Sequence, residues 1–218
     1  MSYATPTKEL IFIADPMCSW CWGFAPTINA IRNKYAEHLT IQLVVGGLRA
    51  GNDQVLDDNA KKAIRHHWEE VRKTTGQPFD FSFFDRDDFI YDTEPACRAC
   101  VTVRGLKADS VLNYLELLHK SFYAHNQDVT DISILASLAT SLGLDTAQFV
   151  KVFSSDEART ATHDDFQVAC NLGVTGLPTI VAVDNAILSG TENTYAYLNV
   201  GYSPIETIEP LLEEWLAV

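Results

Sequence analysis

The sequence predicts an α/β fold whose two halves flank an all-helical block. Three observations carry this. Short, apolar, largely β-branched runs stand near both ends of the chain, at residues 9–14, 40–45, 179–183 and 195–200. Between the second and third runs, residues 57–148 show no period-two alternation. That stretch instead repeats apolar residues at helical spacing, punctuated by glycines.

Residues 9–14 read as a short buried strand, ended by Asp15 and Pro16. A helix follows from about Cys18 to about His38, with Ile28, Ile31 and Tyr35 at helical spacing. Pro26 falls inside it, so a kink is expected. Residues 40–45 form the next strand, closed by Gly46 and Gly47. This βαβ unit predicts a mostly parallel sheet.

In the helical block, Gly76, Gly105 and Gly143 are placed as C-terminal caps. Val111, Leu112, Leu115 and Leu118 mark one apolar stripe. Ile132, Leu135, Leu138 and Leu142 mark another, with Asp131 as its N-cap. A helix over 156–172 leads to the turn before the strand at 179–183. The run at 195–200 is read as its antiparallel neighbour, after a polar turn at 184–193. A last helix starts after Ser203-Pro204, with proline at its first position, and reaches Trp215. The expected domains are therefore 1–56 with 149–218, and an inserted helical domain over 57–148.

At 218 residues the chain can bury a core without staples. Its net charge of −13 repels phosphate backbones and anionic lipid, so neither nucleic acid nor a membrane is an expected partner. No apolar run approaches a membrane span or a signal-peptide core, which points to the cytoplasm. The 5 cysteines are too sparse for a disulfide scaffold, yet four of them form two C-x-x-C pairs.

Cys18-Ser19-Trp20-Cys21 follows a strand and opens a helix. The reactive form of cysteine is the thiolate, which the unpaired N–H groups of a helix N-terminus favour. Three-residue spacing in the first turn lets the two sulfurs approach bonding distance. The first is presented at the helix tip and the second lies deeper. The competing reading is a buried or metal-ligating pair, but no histidine nearby completes a four-ligand zinc site. A second signal is Pro178, at the entrance to a strand in Val174-Thr175-Gly176-Leu177-Pro178-Thr179. It is either a plain strand-entry proline or a cis-proline in a tight turn. A cis bond there would turn the Leu177 backbone outward, free to pair with an extended substrate by strand addition.

The segment Asp15-Pro16-Met17-Cys18-Ser19-Trp20-Cys21-Trp22-Gly23-Phe24, with Gly173-Val174-Thr175-Gly176-Leu177-Pro178-Thr179, resembles the DsbA-like family of thiol–disulfide oxidoreductases. The likeness is to its cytoplasmic FrnE-like branch, which includes predicted protein-disulfide isomerases, and it extends over nearly the whole chain. It implies a thioredoxin fold with an all-helical domain inserted between its βαβ and ββα halves. It also implies that Cys18 attacks, that Cys21 resolves, and that Pro178 helps to bind substrate. Such exchange needs no cofactor or metal. Its partners are protein or small-molecule thiols and disulfides, glutathione among them.

Two departures from thioredoxin stand out. Many thioredoxins carry a buried acid six residues before the first cysteine, where this chain has Phe12. Asp15 either substitutes as proton acceptor or is a plain turn residue. Between the cysteines stand Ser19 and Trp20, which supply no cation. The expected potential therefore lies between strong oxidants and thioredoxin-like reductants, at roughly −150 to −250 mV.

The remaining candidates read as structural. Cys97-Arg98-Ala99-Cys100 is taken as two small helix residues, one inward and one partly exposed, over a relay, an accessory disulfide or a four-cysteine zinc site. Cys170 is expected to be a buried small hydrophobe. His66 and His67 belong to a solvated helix face, and Trp68 and Trp22 to packing. Trp20 is either packing under the helical block or an apolar rim for substrates. Two other functions compete with thiol–disulfide exchange. One is a glutathione-dependent isomerase or kappa-type transferase on the same fold, a class that typically has serine in place of Cys18. The other is a zinc-bound or chaperone-like binding module.

Overall fold

A computed structural model describes residues 8–184 and 195–217. The sequence-predicted polar turn beyond Asp184 lies outside them. Four strands, β1 (Lys8–Ala14), β2 (Leu39–Val45), β3 (Thr179–Asp184) and β4 (Tyr195–Val200), form one sheet in the order β2-β1-β3-β4. Helix α1 (Ser19–Lys34) connects β1 to β2. Helices α2 (Asp58–Thr75), α3 (Glu94–Leu106), α4 (Val111–His119), α5 (Ile132–Ser141), α6 (Thr146–Phe153) and α7 (Asp156–Asn171) lie between β2 and β3. Helix α8 (Ile205–Ala217) closes the chain. Among the described residues, no segment of the helical stretch joins the sheet. An isolated bridge pairs Val55 with Ile90 instead.

The sheet is mixed rather than mostly parallel. β2 runs parallel to β1, with Ala14 opposite Val45, but β3 is antiparallel to both β1 and β4. An apolar run reveals that a strand is buried and not which way it points. Only the βαβ unit fixes a direction, because a parallel neighbour needs a crossover. β3 enters with Thr179 opposite Ile13, so the loop before it arrives at the end of the sheet where β1 finishes.

Helix limits also differ locally. α1 stops at Lys34, short of His38, because Tyr35 caps it and accepts from the His38 and Leu39 N–H groups in a turn back to β2. Gly76 caps α2 in the left-handed region and Gly143 follows the α5 cap at φ +82°. Gly105 is not a cap. It lies inside α3, which ends at Leu106 with Lys107 as its cap before the chain tightens into a 3-10 turn.

One buried cluster runs from Leu10, Phe12 and Phe24 beside the sheet to Tyr114, Phe122 and Trp68 in the helical stretch. Trp68 is enclosed by Phe83, Phe84 and Tyr123, with ring centroids 5.0, 4.8 and 5.0 Å away. Gly23 lets α2 approach α1, since a Cβ there would stand 2.9 Å from the Val71 side chain.

Candidate functional site

β1 ends at Ala14, and Asp15, Pro16 and Met17 turn the chain into α1. The Cys18 N–H closes this turn on the Asp15 carbonyl at 3.1 Å. Cys18 is the N-cap residue of α1, and its carbonyl accepts the Trp22 N–H at 3.1 Å. Cys21 lies in the first turn. Cys18 retains 6 % exposure and Cys21 has none, so only the first sulfur can meet a substrate without rearrangement.

The loop before β3 comes to the same place. Leu177 is half-buried, Pro178 is buried, and the peptide bond between them is cis. The Cys18 thiol faces the Leu177 carbonyl at 3.9 Å. A cavity of about 410 Å³ opens here. It is lined by Cys18, Ser19 and Trp20 at the helix tip, by Leu177, by Leu48 and Arg49 after β2, and by His67 of α2. The half-buried Trp20 leans on Tyr202 with centroids 5.3 Å apart. Trp22 is buried and its indole N–H donates to the Pro78 carbonyl at 3.1 Å, a packing role.

Asp15 is completely buried. One carboxylate oxygen accepts the Met17 N–H at 2.8 Å, and the other accepts the Leu48 N–H at 2.7 Å and the Cys97 thiol at 3.4 Å. Burial pushes its pKa up, against the lowering effect of these donors. Burial also pushes the Cys21 thiol up, reinforced by the adjacent Cys18.

The second C-x-x-C pair departs from expectation. Both Cys97 and Cys100 are fully buried, since α3 is covered by α4, α6 and α7. Burial, then the charge of Asp15, raises both thiols. Cys170 is exposed rather than buried. The inward positions of α7 are Ala158, Thr162, Asp165 and Ala169, and the residue after Ala169 is rotated about 100° away from that stripe. Among the described residues, no three His, Cys, Asp or Glu side chains come together as metal ligands. His66 and His67 are exposed.

Four residues that sequence reasoning missed converge on this turn. Arg49 lines the cavity, its guanidinium 5.4 Å from the Tyr91 ring. The Tyr91 hydroxyl donates to the Met17 carbonyl at 2.6 Å. Thr93 accepts the Arg49 N–H at 3.1 Å. His119 is buried, with Nε2 3.2 Å from the Asp15 carbonyl, and burial lowers its pKa to about 4. A signal existed for Arg49, which follows the carboxyl end of β2, at the end of the sheet where Cys18 stands. None existed for the others, whose segments reach the site only through tertiary packing.

The sequence model of the family described as DSBA-like thioredoxin domain matches residues 9–199. The ClpXP adapter protein SpxH of Halalkalibacterium halodurans is 26 % identical over 214 residues, which cover 95 % of this chain and 67 % of that protein. SpxH of Bacillus subtilis is 24 % identical over 79 % of this chain, which spans only 57 % of that relative's length. Among solved structures, a proposed protein disulfide isomerase from Nitrosomonas europaea is 38 % identical, with 97 % and 98 % of the two chains covered and a TM-score of 0.87. The cytosolic disulfide reductase DsbM of Pseudomonas aeruginosa is 22 % identical, with 96 % and 98 % covered and a TM-score of 0.76; it has also been solved with GSH. Among the described residues, no helix is long and apolar enough to cross a membrane.

Proposed function

The chain belongs to the DSBA-like thioredoxin family, and from that premise we propose that it exchanges thiols and disulfides through Cys18 and Cys21. The Cys18 thiolate attacks a substrate disulfide, forms a mixed disulfide and expels one substrate thiolate. Cys21 then attacks the Cys18 sulfur, closes the Cys18–Cys21 bond and releases the second thiolate. The substrate gains two electrons and the enzyme loses two. Run in reverse, the oxidised enzyme donates its disulfide, and the direction follows the potential of the surroundings.

The observation that carries this reading is the pairing of a slightly exposed Cys18 at the N-cap, lining a cavity, with a buried Cys21 in the turn beneath it. The Leu177 backbone beside Pro178 is the proposed docking edge for an extended peptide, with Trp20 as its apolar rim. Ser19 and Asp15 support the helix tip. Arg49 in the same cavity suits an anionic thiol such as glutathione, in keeping with the GSH complex of DsbM. The cytosolic DsbM also makes the cytoplasm the favoured compartment.

Cys21 argues against the glutathione-dependent isomerase and transferase class, which needs no resolving thiol. An adapter role of the kind named for SpxH needs no exchange at all. Equilibration with glutathione buffers of graded potential, followed by mass mapping of thiols, separates these readings. The expected result is a reversible Cys18–Cys21 disulfide with a midpoint of roughly −150 to −250 mV. Retention of full activity on a glutathione-dependent substrate by Cys18→Ser would favour the isomerase class. Absence of any Cys18–Cys21 disulfide across the series would favour a binding role.

A further inference from the structure

Cys21 is fully buried, so the proton it gives up on closing the disulfide needs an internal acceptor. In many thioredoxins the residue six positions before the first cysteine is a buried acid, and in this chain Phe12 stands there. Phe12 lines a second, small cavity together with Cys21, Asn29, Glu116 and His119. That cavity has room for about one water.

His119 is 1 % exposed and lies at the end of α4. Its Nε2 faces the Asp15 carbonyl, which can only accept, so Nε2 carries the ring proton. Nδ1 is then a bare lone pair, and among the described residues it has no hydrogen-bond partner. A buried acceptor without a donor is uncommon enough in folded proteins to call for an explanation.

We propose that His119 Nδ1 receives the proton of Cys21 as that thiol resolves the mixed disulfide, across the cavity the two side chains share. The inference rests on the exchange reading and adds a proton acceptor to it. The Cys21 sulfur bonds to the Cys18 sulfur, and the bond from Cys18 to the substrate sulfur breaks. The substrate leaves as a thiolate with that electron pair, and the Cys21 proton passes to Nδ1, directly or through one water. The imidazolium later returns its proton to solvent. On reduction the same path runs backwards and protonates Cys21 as it leaves.

The other ionisable groups around the ring are less suited to take this proton. The Asp15 carboxylate already accepts from Met17, Leu48 and Cys97. Glu116, on the same helix as His119, is held by the Asn29 amide at 2.9 Å. Tyr123, one turn further along, is buried and its hydroxyl resists ionisation. Burial keeps the His119 ring neutral at rest, which leaves Nδ1 able to accept. A thiolate forming beside it would then stabilise the imidazolium, as in other Cys–His pairs.

The test is stopped-flow reaction of the reduced full-length protein with an aromatic disulfide that releases a coloured thiolate, in a Cys170→Ser background to silence the exposed thiol. The first release reports attack by Cys18 and the second reports resolution by Cys21. His119→Gln places an amide N–H near the Nε2 position and removes the base. Its first phase is expected to match the parent, and its second to slow by about 10²-fold at neutral pH. The gap should close at alkaline pH, where hydroxide deprotonates Cys21 without help. An unchanged second phase with an unchanged pH profile would overturn the proposal. Loss of the first phase in the parent protein would remove the exchange reading and the proposal with it. If His119→Gln does not fold, the parent protein decides: its second phase, but not its first, should slow in heavy water, and equal rates would overturn the assignment.

Discussion

The Asp15 carboxylate accepts from the turn before Cys18, the loop after β2 and helix α3, and the Thr93 side chain also bonds to it. Its ionisation is therefore tied to the shape of the site. Burial raises its folded pKa above the reference value of 3.8, so the folded protein holds this proton to higher pH than the unfolded chain does. The stability it contributes is present below pH 3.8 and is lost as the pH rises through the raised value. Asp15→Asn cannot titrate, and its amide group meets one backbone N–H, giving up a buried hydrogen bond worth roughly 1–3 kcal/mol. Urea unfolding across pH should show the parent's advantage over Asp15→Asn narrowing as the pH rises through this window. A widening advantage would mean that the folded carboxyl titrates below its reference value. The sequence around Asp15 left it open between a turn residue and a proton acceptor. What buries it comes from Leu48 and Cys97, which no local pattern connects to it.

At the scale of elements, the loop after β2 is the part most sharply constrained. A Cβ at Gly46 would stand 2.8 Å from the Leu177 side chain, and one at Gly47 would stand 2.7 Å from the Phe166 ring. Gly47 also has φ +60°, a conformation that disfavours a side chain. Both glycines let the loop slip between α7 and the Leu177 loop and deliver the Leu48 N–H to Asp15 and Arg49 to the cavity. Gly47→Ala is therefore expected to destabilise the fold by roughly 1–3 kcal/mol in denaturant titration. A change below about 0.5 kcal/mol, the usual scatter of surface substitutions, would show that the loop relaxes freely. The four strands, the start of α1 and the span of α7 were legible because β-branched runs, helical spacing and breakers are local signals. The direction of β3 was not, because direction is set by where the chain re-enters the sheet. The exposures of Cys97, Cys100 and Cys170 were not legible either, because each depends on which face of a helix its neighbours cover.

At the scale of the molecule, the helical stretch is part of the site. α2 supplies His67 and Ile64 to the cavity beside Cys18, and α4 supplies His119 to the small cavity that Cys21 also lines. The sheet end, the loop before β3 and the helical stretch share one buried cluster, which keeps these groups in register. The chain carries a net charge of −13, yet Arg49 and His67 place basic side chains beside Cys18. The proposal that all of this serves is attack by Cys18 and resolution by Cys21. Its most direct test is to incubate the Cys21→Ser variant with a disulfide-linked peptide, quench in acid and map the adduct by mass. The expected result is a stable peptide adduct on Cys18 that the parent protein does not accumulate. An unmodified Cys18, with peptide found only on Cys170, Cys97 or Cys100, would contradict it.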